Sequence, residues 1–152
     1  MYARTRIPTY FLLVFLLTFA VFSCQGSGGQ PIEAVLGEPF TLEIGESAII
    51  GDQNVALTFV EVIRDVRCPT LVTCAEKGPV EISVTLQIQS SQTTRYEMNP
   101  EQVPEFLGWA PNHVSTSGFV VELQSVDPYP EMPEDMIDFS HYQATFVIKQ
   151  NE

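Results

Sequence analysis

Two cysteines offer the most specific chemistry in this sequence. They lie in the stretch RDVRCPTLVTCAEKG, residues 64–78, where five residues separate Cys68 from Cys74. Such a pair can hold a metal ion, cycle between thiol and disulfide, or cross-link the chain. Which of these roles applies depends on the third cysteine of the chain, Cys24.

The amino terminus has the pattern of a secretory signal. Arg4 and Arg6 precede an uninterrupted apolar run of about a dozen residues, Tyr10–Phe22. That length suits the apolar region of a signal peptide and is short for a membrane span, which needs roughly 20 apolar residues. The run ends in a Val-Phe-Ser-Cys sequence that resembles the lipobox of bacterial lipoproteins. The resemblance implies that Cys24 is lipidated; an uncleaved membrane anchor is the alternative.

The lipobox resemblance divides the chain into three parts. We expect residues 1–23 to form the lipoprotein signal peptide, and residues 24–37 to form a lipidated cysteine followed by a flexible tether, since this segment is rich in glycine and poor in bulky side chains. Residues 38–152 form one domain of roughly 115 residues, which is enough to bury a single core.

The fate of Cys24 narrows the role of the other two cysteines. If Cys24 carries lipid, Cys68 and Cys74 remain in an exported chain, where disulfides persist. Structural zinc sites need four ligands and usually bring cysteines two to four residues apart, and the chain has only two histidines, His113 and His141. Thioredoxin-like sites use a Cys-x-x-Cys spacing, which is absent. We therefore expect a disulfide, which stabilises by about 2 to 3 kcal/mol when it closes so short a loop.

The charge of the chain restricts its partners. Removal of Arg4 and Arg6 with the signal leaves five of the seven basic residues against 19 acidic ones, a net charge of −14. This disfavours nucleic acid, which requires a basic surface. It also disfavours adsorption to anionic lipid headgroups, so the membrane contact is expected through the N-terminal lipid alone.

The apolar pattern after Glu38 predicts strands and turns. The clearest segment is PVEISVTLQIQS, in which apolar and polar residues alternate from Val80 to Ile88. This pattern is typical of an antiparallel strand with one face in the core and one in water. A change of phase in NVALTFVEVI predicts a bulge or a strand that crosses between sheets. About seven such strands favour an all-β fold, a single antiparallel immunoglobulin-like β-sandwich, with a small β-barrel as the alternative.

Several of these segments, taken in order, resemble a family of small bacterial lipoproteins and exported proteins. In that family a strand runs into an Asp-x-Arg-Cys-Pro turn with a second cysteine, here Asp65–Pro69 and Cys74, and a later strand ends in Val-x-Pro-Tyr-Pro, here Val126–Pro130. This chain departs from the pattern at Val66 and at residues 75–78. The resemblance implies export, a β-rich domain and a Cys68–Cys74 bridge, and it carries over no catalytic residue.

Two loops hold the candidate binding residues. The first, EFLGWAPNHV, contains Phe106 and Trp109, the only tryptophan, and aromatic side chains in loops are common at contact sites. The second, DPYPEMPEDMIDFSH, clusters an aromatic ring with carboxylates that could meet a cationic or sugar-like group, and its candidates are Tyr129, Glu131, Glu134, Asp135 and Asp138. The alternatives are that the first loop covers an end of the core and that the second is a solvated acidic loop. Because the two loops flank the strand starting at Phe119, they are expected at opposite ends unless one folds back.

Known catalytic motifs are absent from the sequence, so it assigns no catalytic residue, no metal ligand and no cofactor. The expected function is that of a lipid-anchored protein of the cell envelope, on its periplasmic face or at the cell surface. Its exported β-sandwich would be a binding or interaction module for an envelope protein or a small ligand. The alternative is an envelope enzyme or a metal-handling protein without a recognisable motif.

Overall fold

The computed structural model describes residues 29–102, 107–131 and 138–151. Almost all of its regular structure is β, with two short 3-10 turns at Gly51–Gln53 and Phe139–His141. The described residues form nine strands: β1 Ile32–Glu33, β2 Pro39–Glu43, β3 Ser47–Ile50, β4 Val55–Asp65, β5 Val80–Ile88, β6 Thr94–Met98, β7 His113–Thr116, β8 Phe119–Asp127 and β9 Gln143–Gln150.

The strands form two sheets. The first sheet has the order β1-β3-β4-β5-β6 and the second has the order β2-β9-β8-β7. All neighbours are antiparallel except β1 and β3. The predicted all-β sandwich is confirmed, and the sheets do not close into a barrel. The strand order departs from the Greek-key connections of an immunoglobulin domain, because β3–β6 and β7–β9 each form a meander within one sheet.

The core lies between the inner faces of the sheets. Phe59 of β4 packs edge-on against Phe146 of β9, with ring centroids 6.4 Å apart, and Phe40 of β2 lies 6.1 Å from the same ring. The alternating apolar residues of β5, from Val80 to Ile88, are all buried, as the sequence pattern predicts. The phase change in β4 is also confirmed, since the β4–β5 register shifts after Phe59 and again after Val62.

The outer face of β5 differs from the prediction. A wet polar face was expected, but Glu81 is only 5% exposed and Ser83 is completely buried. Glu81 is covered by Arg64 of β4 and by the backbone of Ala110. The prediction was wrong for this half of the strand, and at Glu81 the cause is that Arg64 and the segment before β7 lie across the outer face. Gln87, nearer the other end of β5, is exposed as expected.

Strand β7 corrects the predicted placement of the two candidate loops. It pairs with β8 from His113 opposite Glu122 to Thr116 opposite Phe119, and Ser117 and Gly118 make the turn with positive φ. A Ser-Gly pair suits such a tight turn. Because the chain reverses there, the segment before β7 and the segment after β8 lie at the same end of the sandwich.

This end of the sandwich, called the loop end below, is where β4 and β8 finish and β5 and β9 begin. At the edge of the first sheet, β1 pairs with β3, and the Gly37 N–H donates to the Ile148 carbonyl. The hydrogen-bonded structure therefore begins at Ile32, inside the segment 24–37 expected to be a tether. Among the described residues, no helix is long and apolar enough to span a membrane. Residues 1–23 and Cys24 lie outside the described part.

Candidate functional site

A buried ion pair occupies the centre of the loop end. Asp65 is the last residue of β4, and its side chain is fully buried, while that of Arg67 is 6% exposed. The Arg67 guanidinium donates through Nη2 to Asp65 Oδ2 at 2.6 Å and through Nε to Oδ1 at 2.9 Å. The backbone N–H of Arg67 also donates to Oδ1, at 3.1 Å. This two-pronged arrangement is the strongest geometry for an arginine–carboxylate pair.

Tyr142 adds a fourth donor to the same carboxylate. Its hydroxyl donates to Asp65 Oδ2 at 2.8 Å, and its ring, which is fully buried, packs edge-on against Phe139 at 5.5 Å. Burial and the hydrogen bond to Asp65 raise the pKa of the Tyr142 phenol. Burial lowers the pKa of Arg67, but the bonds to Asp65 outweigh that effect and the pKa is raised. Arg67 and Tyr142 therefore keep their protons near neutral pH, and both donate to Asp65.

The remaining donors of Arg67 hold the end of β8 and the chain that follows it. Nη1 donates to the Val126 carbonyl at 2.8 Å, and Nη2 donates to the Pro128 carbonyl at 2.9 Å. The guanidinium carbon lies 4.7 Å from the centre of the Tyr129 ring. One buried side chain therefore fixes the tyrosine loop, residues 128–131. It also puts the Asp-x-Arg-Cys-Pro segment in contact with the Val-x-Pro-Tyr-Pro segment.

A second loop lies beside the tyrosine loop. This cysteine loop, residues 66–79, joins β4 to β5 and brings Cys68 and Cys74 to disulfide distance, with Cα atoms 5.8 Å apart. The Thr70 N–H donates to the Pro130 carbonyl at 3.1 Å, which links the two loops. At the tip of the cysteine loop, Leu71 is 71% exposed and Val72 is 45% exposed.

Trp109 packs on the outer face of the first sheet. Its ring lies 4.2 Å from the Arg64 guanidinium, which forms an ion pair with Glu81 at 2.6 Å. The other Glu81 oxygen accepts from the Ala110 N–H at 2.9 Å, so the tryptophan loop, residues 107–112, is bound to β5. The ring also faces Gly78, where an added Cβ would lie 3.4 Å from it. Trp109 is half-buried, and this packing favours a structural role in which the ring covers the outer face of the first sheet and not the end of the core.

The predicted binding residues fall into three groups, which are those near Arg64 and Arg67, Asp138 by itself, and those outside the described residues. Tyr129 is 47% exposed beside Arg67, and Glu131, which follows it, is exposed. Trp109 and Tyr129 flank the same short stretch, one against Arg64 and the other against Arg67. Asp138 is exposed, and its carboxylate accepts from Ser140 N–H at 2.9 Å, which lowers its pKa. The third group lies outside the described residues and comprises Phe106, Glu134 and Asp135.

No sequence pattern predicts a role for the three residues at the centre of the site. The family resemblance includes Asp65 and Arg67 only as members of the Asp-x-Arg-Cys-Pro turn, and it does not include Tyr142. A signal was available for the first two, because charged residues directly after a long apolar strand are buried only when they are paired. Tyr142 is 77 residues from Asp65, and no local pattern links them.

The charges of the site are mostly compensated. Arg64 and Arg67 at the site each pair with a carboxylate, and so do Arg95 and Lys149 elsewhere on the described surface. The chain has 19 acidic residues, so the unpaired charge on the surface is negative. In the described ranges no group of three or more metal-binding side chains comes together.

Comparison with protein-family models, with curated proteins and with solved structures finds no match for this chain. Nothing in these comparisons points to an enzymatic activity. The arrangement of residues at the loop end is therefore the basis on which a function has to be argued.

Proposed function

We propose that this protein is a lipid-anchored envelope protein whose β-sandwich binds a partner through its loop end. The proposal has two parts, an anchor and a contact surface. The anchor rests on the sequence: the short apolar run and the lipobox-like residues before Cys24. With β1 beginning at Ile32, the chain between Cys24 and the sandwich would reach roughly 25 Å if fully extended.

The observation that supports a contact surface is that exposed apolar side chains are grouped at the loop end. Seven large apolar side chains are exposed in the described residues, and Leu71, Val72, Leu107 and Tyr129 belong to loops of the loop end. Leu71 and Tyr129 stand on loops that are joined by the Thr70–Pro130 hydrogen bond. Exposed apolar groups of this kind mark contact surfaces when they are grouped.

The loops that carry these side chains are held in place before any partner arrives. Arg67 binds the Val126 carbonyl at the end of β8 and the Pro128 carbonyl of the tyrosine loop, and the cysteine pair closes the neighbouring loop. A fixed loop loses less conformational entropy on binding than a mobile one, so more of the contact energy appears as affinity. A rigid apolar surface with a polar interior network suits a binding module.

The proposal is tested by photo-crosslinking in the native envelope. A photoreactive phenylalanine analogue is introduced in place of Leu71, and as a control in place of Val35, which is 59% exposed and lies away from the loop end. A discrete adduct is expected from position 71 and not from position 35. Equal adducts from both positions, or none from position 71, would contradict a contact surface at the loop end.

A further inference from the structure

The connection between β4 and β5 is long for a hairpin, and backbone hydrogen bonds join its two ends where it leaves the sheet. Beyond the β4–β5 ladder, the Val66 N–H donates to the Pro79 carbonyl and the Gly78 N–H donates to the Val66 carbonyl. Hairpin loops usually span two to five residues, whereas residues 67–77 lie beyond these bonds. The base of the cysteine loop is therefore held without help from the cysteines.

Little other than the cysteine pair holds the tip of this loop. Between residues 69 and 77 the backbone makes one hydrogen bond to the rest of the described structure, from Thr70 to Pro130, and one within the loop, from Val72 to Pro69. The side chains at 70–73 and 75–77 are exposed, and none of the buried apolar core belongs to the loop. Arg67, the first residue beyond the base, is held by its ion pair with Asp65, so the less supported part of the loop begins at Cys68.

We propose that the Cys68–Cys74 bridge is a redox-sensitive brace, whose reduction by a dithiol frees the tip of the cysteine loop while the sandwich and the Asp65–Arg67 pair stay intact. Both cysteines are half-buried rather than enclosed, so a thiolate can reach the sulfur atoms. Reduction would separate Leu71 and Val72 from the fixed tyrosine loop. The release itself does not depend on the proposed function; only its consequence for partner binding rests on it.

The chemistry is thiol–disulfide exchange. A thiolate of the dithiol attacks one sulfur of the bridge, forms a mixed disulfide with it and expels the other cysteine as a thiolate, which takes a proton. The second thiol of the reductant then displaces the first cysteine and becomes part of the reductant's own disulfide. Two electrons pass from the dithiol to the bridge, and the protein gains two thiols.

Hydrogen exchange measured by mass spectrometry tests the brace, with dithiothreitol as the dithiol. In the reduced protein the amides of Thr70 and Val72 should exchange about tenfold faster or more, while those of β4 and β5 keep their protection. The Cys68→Ser/Cys74→Ser variant should give the same pattern with and without dithiothreitol. Unchanged exchange at Thr70 and Val72 would overturn the brace, and so would a loss of protection that spreads through β4 and β5.

The consequence for binding has a separate readout. If the photo-crosslinker at position 71 captures a partner in the oxidised protein, the yield should fall on reduction, and an equal yield would overturn the coupling of the brace to binding. If the oxidised protein captures no partner, the proposed function fails, and the exchange measurement still decides whether the brace exists.

Discussion

The hydroxyl of Tyr142, just before β9, donates a 2.8 Å hydrogen bond to Oδ2 of Asp65 at the end of β4. The bond joins the two sheets at the loop end. The same Asp65 oxygen accepts from Arg67, and Arg67 in turn holds the carbonyls of Val126 and Pro128. Two sheets and two loops therefore depend on one buried carboxylate, which makes its partners the most informative positions to change.

Replacement of Arg67 should destabilise the fold strongly. Arg67→Met leaves the buried Asp65 without its ion-pair partner, and such a loss typically costs about 3 to 5 kcal/mol of unfolding free energy. Arg95→Met is the matched control, because it breaks an ion pair with Glu61 whose side chains are both about half exposed, and exposed pairs contribute about 1 kcal/mol or less. Urea unfolding measures both. Similar small losses would show that the buried pair does not hold the loop end.

Tyr142 should give the fold a dependence on alkaline pH. Burial, with the hydrogen bond to Asp65, raises its pKa above the ordinary value of 10.0. Since the folded state favours the protonated phenol, this stabilisation is fully present below about pH 10 and is lost as the pH rises through the folded-state pKa. Tyr142→Phe should lower stability near neutral pH by about 1.5 to 3 kcal/mol, because a hydrogen bond to a charged group is lost.

The pH dependence is measured by urea unfolding of both proteins between pH 8 and pH 11. Above about pH 10 the wild-type stability should fall more steeply than that of Tyr142→Phe, because only the wild type loses the contribution of this phenol. Lysines and the other tyrosines act equally in both proteins. Curves that remain parallel through the whole range would contradict the buried Tyr142–Asp65 bond.

Features of the fold could be predicted from the sequence where they follow from a local pattern of residues. The period of two in Val80–Ile88 predicted β5 with its observed bounds and its buried face. The covered outer face at Glu81 and Ser83 could not be predicted, because it depends on Arg64 and a loop brought there by the fold. The placement of the two candidate loops at the same end could also have been predicted, because the Ser-Gly pair at 117–118 is a turn signal in the sequence.

Trp109 should behave mainly as a packing residue. Its ring lies against Arg64 and faces Gly78, and it is half-buried, so Trp109→Ala should cost about 2 to 3 kcal/mol, somewhat less than the 3 to 5 kcal/mol of a fully buried tryptophan. Tyr129→Ala is the comparison, because an exposed ring beside a cation contributes about 0.5 to 1 kcal/mol. Thermal or urea unfolding measures both. A Trp109→Ala protein as stable as the wild type would instead favour a contact role for this ring.

Lipidation at Cys24 is a prediction from the sequence alone. Cys24→Ala should release the protein from the membrane fraction or leave an unprocessed precursor, because the lipid supplies the anchor. Fractionation followed by intact-mass measurement distinguishes these products. Cys68→Ser is a control, since it removes a cysteine without affecting the amino terminus. A Cys24→Ala protein that fractionates and migrates like the wild type would show that the lipobox interpretation is wrong.

The most direct test of the central claim, that the loop end is the contact surface, compares two double variants. Leu71→Ser/Tyr129→Ser removes two exposed apolar side chains from the loop end, and Ile32→Ser/Val35→Ser removes two from elsewhere on the described surface. Each protein is used to capture partners from the cell envelope, after thermal melts have shown that both stay folded. The account predicts that a partner captured by the wild type is lost only with Leu71→Ser/Tyr129→Ser. Equal capture by both variants, or an equal loss, would contradict it.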